Sequence, residues 1–582
     1  MGDATTRIAG SASGTPAPAA VASALDRFFD TFFRQRPVSA TFTGLHAHDA
    51  VLPDWSADGL GHAADEMRAL RRDLDTAGRV PDAEVTVFPL QVDLALADGA
   101  LEIALAEQES GHFVHANPSL WTGEAIFGVL SLVTRDFAPI GERLRAAHHR
   151  LGAIPAFLAE MPTVLGAAPA DWTNRARREC QTAAALFGHA LPAWLVGLAA
   201  TDAGGVAGID VAAWLAASST AAQAFVRVDD WLDVPARTTD QPRHASADLI
   251  ELLLRRGHWI TTPIPDLLTE ATDALNEAAA RLEQMARPFG GWPAVQERLA
   301  AEHPSAEDFL TRFGQKWTAC RQAALDHDLV TWPVAPLRYV PIPAHTREAA
   351  SSLYYLNYRS PAPFDPLGMF DYVVPPIDGL TGDGLDARLR MVNDSVITLN
   401  HVVHHGAIGH HVQNHHAYAG ASRVGRVAAV DTANRIAMFS GGSLAEGWAC
   451  YVCDLVEEIG FLTPLEQVAQ QHTRVRIAAR AVADLSIHSG ALTPPQAARL
   501  YIDRAQMSAV AAQGEATRNS MFPGTAIMYW LGTQAMHHLR TAVRSRQGGA
   551  FSMRAFHDRV LSYGAIPVPL ISKLMLAEEA AS

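Results

Sequence analysis

Apolar side chains recur along most of this chain at the spacing of one helix face, and that periodicity limits its folds more than any other feature. In residues 22–36, Leu25, Phe28, Phe29, Phe32 and Phe33 follow the i, i+3, i+4, i+7, i+8 pattern of an amphipathic helix. Similar patterning runs through 86–109, 139–165, 174–200, 265–288, 306–325, 466–489 and 496–513. Alternating β-branched runs are sparse, so the fold is expected to be mostly α. Gly, Pro and Asp break the pattern at 201–209, 236–246 and 375–386, which read as loops. The exception is 327–376, where RYVPIP, SSLYYLNYRSP and FDYVVPP have the aromatic and β-branched content of short strands. A small β element is expected there.

With 582 residues, 49% of them hydrophobic, the chain has material for a large core, and disorder or a disulfide miniprotein is excluded. Residues 1–20 read as a disordered tail and 21–582 as a single large domain, with an N-terminal lobe at about 21–235 and a second lobe at about 330–582. The formal net charge is −15 and no basic run could neutralise a string of phosphates, so nucleic acid is not an expected partner. The longest uncharged apolar run, residues 190–200, is short of the roughly 20 residues of a membrane span, and no membrane partner is expected. The start lacks the apolar segment of a signal peptide, and four scattered cysteines form no disulfide framework. A cytoplasmic location is the expectation. The glycine-rich loops carry no nucleotide-binding pattern.

Residues 401–416, HVVHHGAIGHHVQNHH, hold seven of the chain's 25 histidines. Neutral imidazoles suit zinc and other late first-row metals, and helical pairs can turn two nitrogens toward one ion. A solvated polyhistidine patch would look different. Here the histidines are interleaved with small apolar residues, follow the apolar run VITLNHVV and lie well inside the chain. Thirty-odd residues on, SGGSLAEGWACYVCDLVEEIG carries Glu446 in a helical pattern beside Trp448, Tyr451, Leu455 and Ile459. Buried there, a carboxylate is costly unless paired or ligating. Two histidines and a Glu from a downstream helix make a three-ligand catalytic metal site. The Cys450-x-x-Cys453 pair inside this helix reads as packing.

These segments resemble the DUF885 family, a bacterial family of unknown function whose HExxPGHHxQ and EGWAxYxE motifs are similar to those of gluzincin metallopeptidases. The first motif stands here as His404 to Gln413 and the second as Glu446 to Asp454. The resemblance spans nearly the whole chain. RPVSATFTGLHAHDAVLPDWS and ANPSLW match near the start; Arg480, Asp484 and His488, then Arg518 with Pro523-Gly524, and FHDRVLSYGAIP at 556–567 match downstream.

The resemblance implies a large helical, gluzincin-type deep-cleft fold in which His404, His410 and Glu446 hold a divalent metal, Zn²⁺ foremost with Fe or Mn as alternatives. It sets His411 beside the site. The six-residue gap between His404 and His410 then requires a bulged or kinked helix, which Gly406 and Gly409 permit. Regular helical pairing offers His401 with His405, or His411 with His415, as competing ligands.

His405 departs from the family pattern: the motif has there the Glu that activates the water nucleophile. His405 could serve as the base, become a further ligand, or mark lost chemistry. Arg480, Asp484 and His488, each four residues apart and so on one helix face, are expected with Arg518 to bind or orient substrate. Tyr529, or Tyr354 and Tyr355, could donate to a developing oxyanion. The expected function is that of a metal-dependent hydrolase-like enzyme acting on a small amide or peptide-like substrate. The alternatives are a non-hydrolytic metal enzyme of specialised metabolism, such as a lyase, isomerase or oxygenase, and an inactive binding protein.

Overall fold

The phenylalanine stripe of residues 22–36 forms helix α1 (Pro18–Arg34), with Leu25, Phe28, Phe29, Phe32 and Phe33 all buried. In this computed structural model the described residues are 18–581, apart from 203, 242, 348–357, 360–361, 367 and 430–436. Helix α1 therefore takes in the last three residues of the expected tail, with Pro18 at its first position. Tyr354 and Tyr355 lie outside the described residues.

The chain is mostly α, with 74% of it helical and 3% in strands. The longer helices are α2 (Leu90–Glu109), α3 (Pro118–Thr134), α4 (Ile140–Val164), α5 (Val211–Leu232), α6 (Ile264–Ala286), α7 (Phe309–Asp326), α8 (His410–Tyr418), α9 (Gly442–Glu458), α10 (Pro464–His488), α11 (Ala509–Met521) and α12 (Met528–Gln547). The expected β element is a three-stranded sheet in which β3 (Phe370–Val374) lies between β1 (Leu337–Pro341), parallel to it, and β2 (Tyr358–Arg359), antiparallel. One expected helix is broken. The 496–513 segment ends its first helix at Ala505, turns through Gln506 in the left-handed region (φ +49°), and restarts as α11 under a Ser508 cap.

The buried apolar residues gather in separate clusters. Residues 121–232 form a hydrophobic cluster of their own, built on Trp121, Leu151, Phe187 and Phe225, whereas residues 21–105 share one cluster with 309–575. The first helices thus belong to the core beneath the histidines. In the separate cluster, the continuous helical stretch Ala170–Thr201 is long and apolar enough to cross a membrane by length and composition, a feature that a count of uncharged residues overlooks. Its Leu186, Phe187, Leu191 and Leu195 are buried, and the stretch packs against α5.

Two local features hold these parts together. His46 lies between two carboxylates, with Nδ1 2.9 Å from Asp49 and Nε2 2.7 Å from Asp365, and its ring stacks on Phe137 at 3.8 Å. Burial opposes protonation, but the bonds to Asp365 and Asp49 outweigh it and raise the imidazolium pKa to about 9. At the other end, α9 crosses α12 where Gly447 meets Gly532. A Cβ at Gly447 would stand 2.4 Å from the Gly532 backbone, and one at Gly532 within 1.9 Å of the Ser443 carbonyl. Only two glycines allow this approach.

Two outcomes follow. Because the folded-state pKa of His46 is raised above the ordinary 6.5, its contribution is complete below pH 6.5 and fades as pH rises through about 9. His46→Gln should therefore cost about 1–2 kcal/mol in urea unfolding at pH 6, after allowing for partial exposure, and almost nothing at pH 10. Gly447→Ala should cost about 3 kcal/mol by forcing α9 and α12 apart, read by denaturant unfolding.

Candidate metal centre

Ten residues, Ile397–Gly406, wind as a π-helix before the chain turns through Ala407, Ile408 and Gly409 into α8. This is the interruption that the His404-to-His410 gap demands. The turn works because it lacks side chains where the backbone doubles back: a Cβ at Gly409 would fall 1.8 Å from the His404 carbonyl oxygen, and one at Gly406 2.3 Å from the Tyr339 hydroxyl. Its carbonyls are bonded by two indoles. Trp317 donates to Gly406 at 2.7 Å, and Trp448 to Ile408 at 2.8 Å and Gly409 at 3.2 Å. Trp448 is two residues past Glu446 on α9, so the helix that carries the carboxylate also fastens the loop that carries the imidazoles.

The result is a close cluster. His404, His405 and His410 each offer a nitrogen, all within 4.8 Å of one another. Glu446 Oε2 lies 3.3 Å from His404 Nε2 and 3.7 Å from His410 Nε2, and this buried oxygen accepts no hydrogen bond. Burial alone would raise the Glu446 pKa, but the two imidazoles hold it well below the usual carboxylate range. Burial lowers the pKa of His404 and, with the neighbouring rings, drives that of His405 far down, so both are neutral imidazoles. His405 donates from Nδ1 to the Asn400 carbonyl at 2.7 Å, which leaves its Nε2 lone pair for the cluster.

The donor set fits a divalent metal. Ligands of a tetrahedral zinc site stand about 3.4 Å apart given metal–nitrogen bonds near 2.1 Å, and an orphaned carboxylate oxygen at about that spacing from two imidazoles is what such an ion would need. Of the other histidines weighed from sequence, neither His401 nor His411 belongs to the cluster. His401 is bonded through Nδ1 to the Tyr372 hydroxyl at 2.7 Å among Phe313 and Tyr339. His411 turns its Nε2 to the Ala335 carbonyl and packs on Phe370.

Above the cluster opens a cleft of about 1060 Å³, lined by His404, His405, His410 and Glu446 on one side and by Arg480, Arg518 and Tyr529 on another. Arg480 forms a bidentate pair with Glu515 at 3.0 and 2.5 Å and lies over the Tyr529 ring at 4.9 Å. Burial disfavours the Glu515 anion, yet Arg480 holds its pKa at about 2. Burial and the Glu446 charge raise that of Tyr529, so its hydroxyl stays protonated within reach of Arg518. Cys450 and Cys453 are buried in the cleft wall with free thiols.

Asp484 and His488 do not line the cleft, contrary to the expectation that they bind substrate. Asp484 accepts from the backbone N–H groups of Gly524, Ala526 and Ile527 at 2.9–3.0 Å, fixing the turn that begins α12 and so positions Tyr529. His488 accepts from Ala245 N–H on Nδ1 and donates from Nε2 to the Asn519 carbonyl, pinning the end of α10. The C-terminal signature likewise braces α9: His557 bonds the Tyr451 hydroxyl at 2.8 Å and packs on Trp448. Glu515 and Arg476 escaped the sequence reading. Glu515 comes from another helix than its partner, so no spacing reveals it, while Arg476 is one turn before Arg480 and extending the stripe would have found it.

Among curated proteins none matches the chain. Two solved structures share its fold. One, from Shewanella oneidensis, is described as "a putative lipoprotein of unknown function"; it is 20% identical, with a TM-score of 0.74 over 96% of this chain and 99% of that one. The other, from Colwellia psychrerythraea and described as a "putative lipoprotein", is 15% identical, with a TM-score of 0.74 over 97% of this chain and 100% of that one. These descriptions overturn the cytoplasmic expectation, since a lipoprotein is a membrane-anchored protein. A family model described as "Bacterial protein of unknown function (DUF885)" matches residues 37–575, and the chain belongs to that family.

Proposed function

We propose that this chain is a metal-dependent hydrolase-like enzyme acting on a small amide or peptide-like substrate, with a gluzincin-type cleft in which His404, His410 and Glu446 hold the metal. One observation carries the reading: a buried Glu446 oxygen without a hydrogen bond, 3.3 and 3.7 Å from two imidazole nitrogens. A divalent ion, Zn²⁺ foremost, would supply Lewis acidity toward a carbonyl oxygen. The chain's own groups would do the rest. Tyr529, kept protonated, can donate to the oxygen of that carbonyl as charge develops on it. Arg480, fixed by Glu515, and Arg518 orient the substrate on the facing wall. The cleft's volume is that of a small-molecule site.

A second reading has its own support. His405, where the motif has Glu, keeps a nitrogen within 4.8 Å of both His404 and His410. As a fourth ligand it would give a histidine-rich centre suited to Fe or Mn and to non-hydrolytic chemistry.

Elemental analysis of untagged protein tests the centre. About one equivalent of metal in the wild type, lost in Glu446→Ala and His410→Ala, is expected; equal content in all three refutes it. Gly409→Ala should also lose the metal without touching a ligand, because its methyl group would displace the His404 carbonyl. His405→Glu separates the two readings. A gain in amide hydrolysis at unchanged zinc content is expected of a hydrolase with an altered base, whereas loss of iron or manganese would identify His405 as a ligand.

A further inference from the structure

The protein is strongly acidic, at −15 overall, yet the cleft above the histidine cluster is not. Among the described residues the cleft is lined by four arginines, Arg390, Arg476, Arg480 and Arg518, against two carboxylates, Glu446 and Glu515. Three of the four are held by direct bonds. Arg480 takes both oxygens of Glu515, Arg390 pairs with Glu297, and Arg518 reaches Tyr529. Arg476, with its side chain 36% exposed, has only a longer ion pair. Its nearest carboxylate oxygen is Glu515 Oε1 at 3.6 Å, already bonded to Arg480 at 2.5 Å, and its Nε–H is buried without an acceptor.

A second donor in the cleft wall is in the same condition. Trp292 is 6% exposed, its indole N–H has no acceptor in the protein, and its ring stacks at 4.2 Å on His472, one helical turn before Arg476. A buried donor left unbonded is costly, and a guanidinium in the same cleft adds a charge to be matched. Two N–H donors, one of them cationic, call for an acceptor with two oxygens and a negative charge.

We propose that Arg476, with the Trp292 indole N–H lining the same cleft, receives a free carboxylate of the substrate. The substrate class is then an amide carrying a carboxylate a short distance beyond the bond acted on, as in an N-acyl amino acid or the C-terminal end of a short peptide. Arg480 lines the same cleft as the histidine cluster, and Arg476 is one turn away along the same helix, about 6 Å. That offset matches one to two extended residues between amide and carboxylate. Arg476 is thereby a specificity-determining residue, resting on the amide-hydrolase reading above but separable from it by experiment.

The test is calorimetric binding to the full chain of hippurate, N-acetyl-L-leucine and N-benzoylglycylglycine, each against its primary amide, with the protein both zinc-loaded and chelator-stripped. At least one acid should bind ten-fold or more tightly than its amide. Arg476→Gln should shrink that preference below two-fold while leaving amide affinity, metal content and circular dichroism unchanged, and Arg476→Lys should keep part of it. Amides binding as well as acids, an acid preference that survives Arg476→Gln, or no binding by any member below 5 mM would overturn the proposal. If the metal assay fails while the Arg476-dependent preference stands, the hydrolase reading falls and the carboxylate site remains.

Discussion

The indole N–H of Trp448, bonded to the carbonyls of Ile408 and Gly409, is the contact on which the candidate site depends. A helix cannot bring His404 and His410 to one point while staying regular, so the chain must break between them. A broken helix leaves backbone carbonyls that need donors. Trp448 supplies one from α9, the helix that holds Glu446, and in satisfying the break it fixes the distance between carboxylate and imidazoles. Removing its indole would leave the imidazoles and the carboxylate present but no longer mutually placed.

Around that contact the structure commits much of its buried polarity to holding α9, α10 and α12 in register. Gly447 and Gly532 let two helices touch backbone to backbone, Asp484 gathers three N–H groups at the start of α12, and His557 closes on Tyr451 from below. None of these residues lines the cleft. They set the wall on which Arg480 and Tyr529 stand, and their motif spacing reflects packing rather than chemistry.

Much of the fold was legible because helical periodicity is a local signal. The stripe of α1, the extent of α4, α6, α7 and α10 and the small sheet follow from residue types within one element. The left-handed Gln506 that splits 496–513 was not legible, since glutamine carries no turn preference. The site was legible in part for the same reason. His404, His410 and Glu446 stand in local motifs, and the need for a bulge was arithmetic. Asp484 and His488 misled because a polar stripe looks alike whether it faces a cleft or a neighbouring turn, and only the three-dimensional partners distinguish them. Arg480's tie to Glu515 joins two helices across 35 residues, beyond the reach of any spacing rule.

The shared core of the first and last helices has a bearing on how the chain is made. Val21 and Phe28 lie in the same cluster as Leu570 and Met575. At a synthesis rate of about 5–20 residues per second, α1 emerges from the ribosome roughly half a minute to two minutes before its final partners exist. During that interval its five-residue apolar stripe has to be sheltered by transient contacts or by a chaperone.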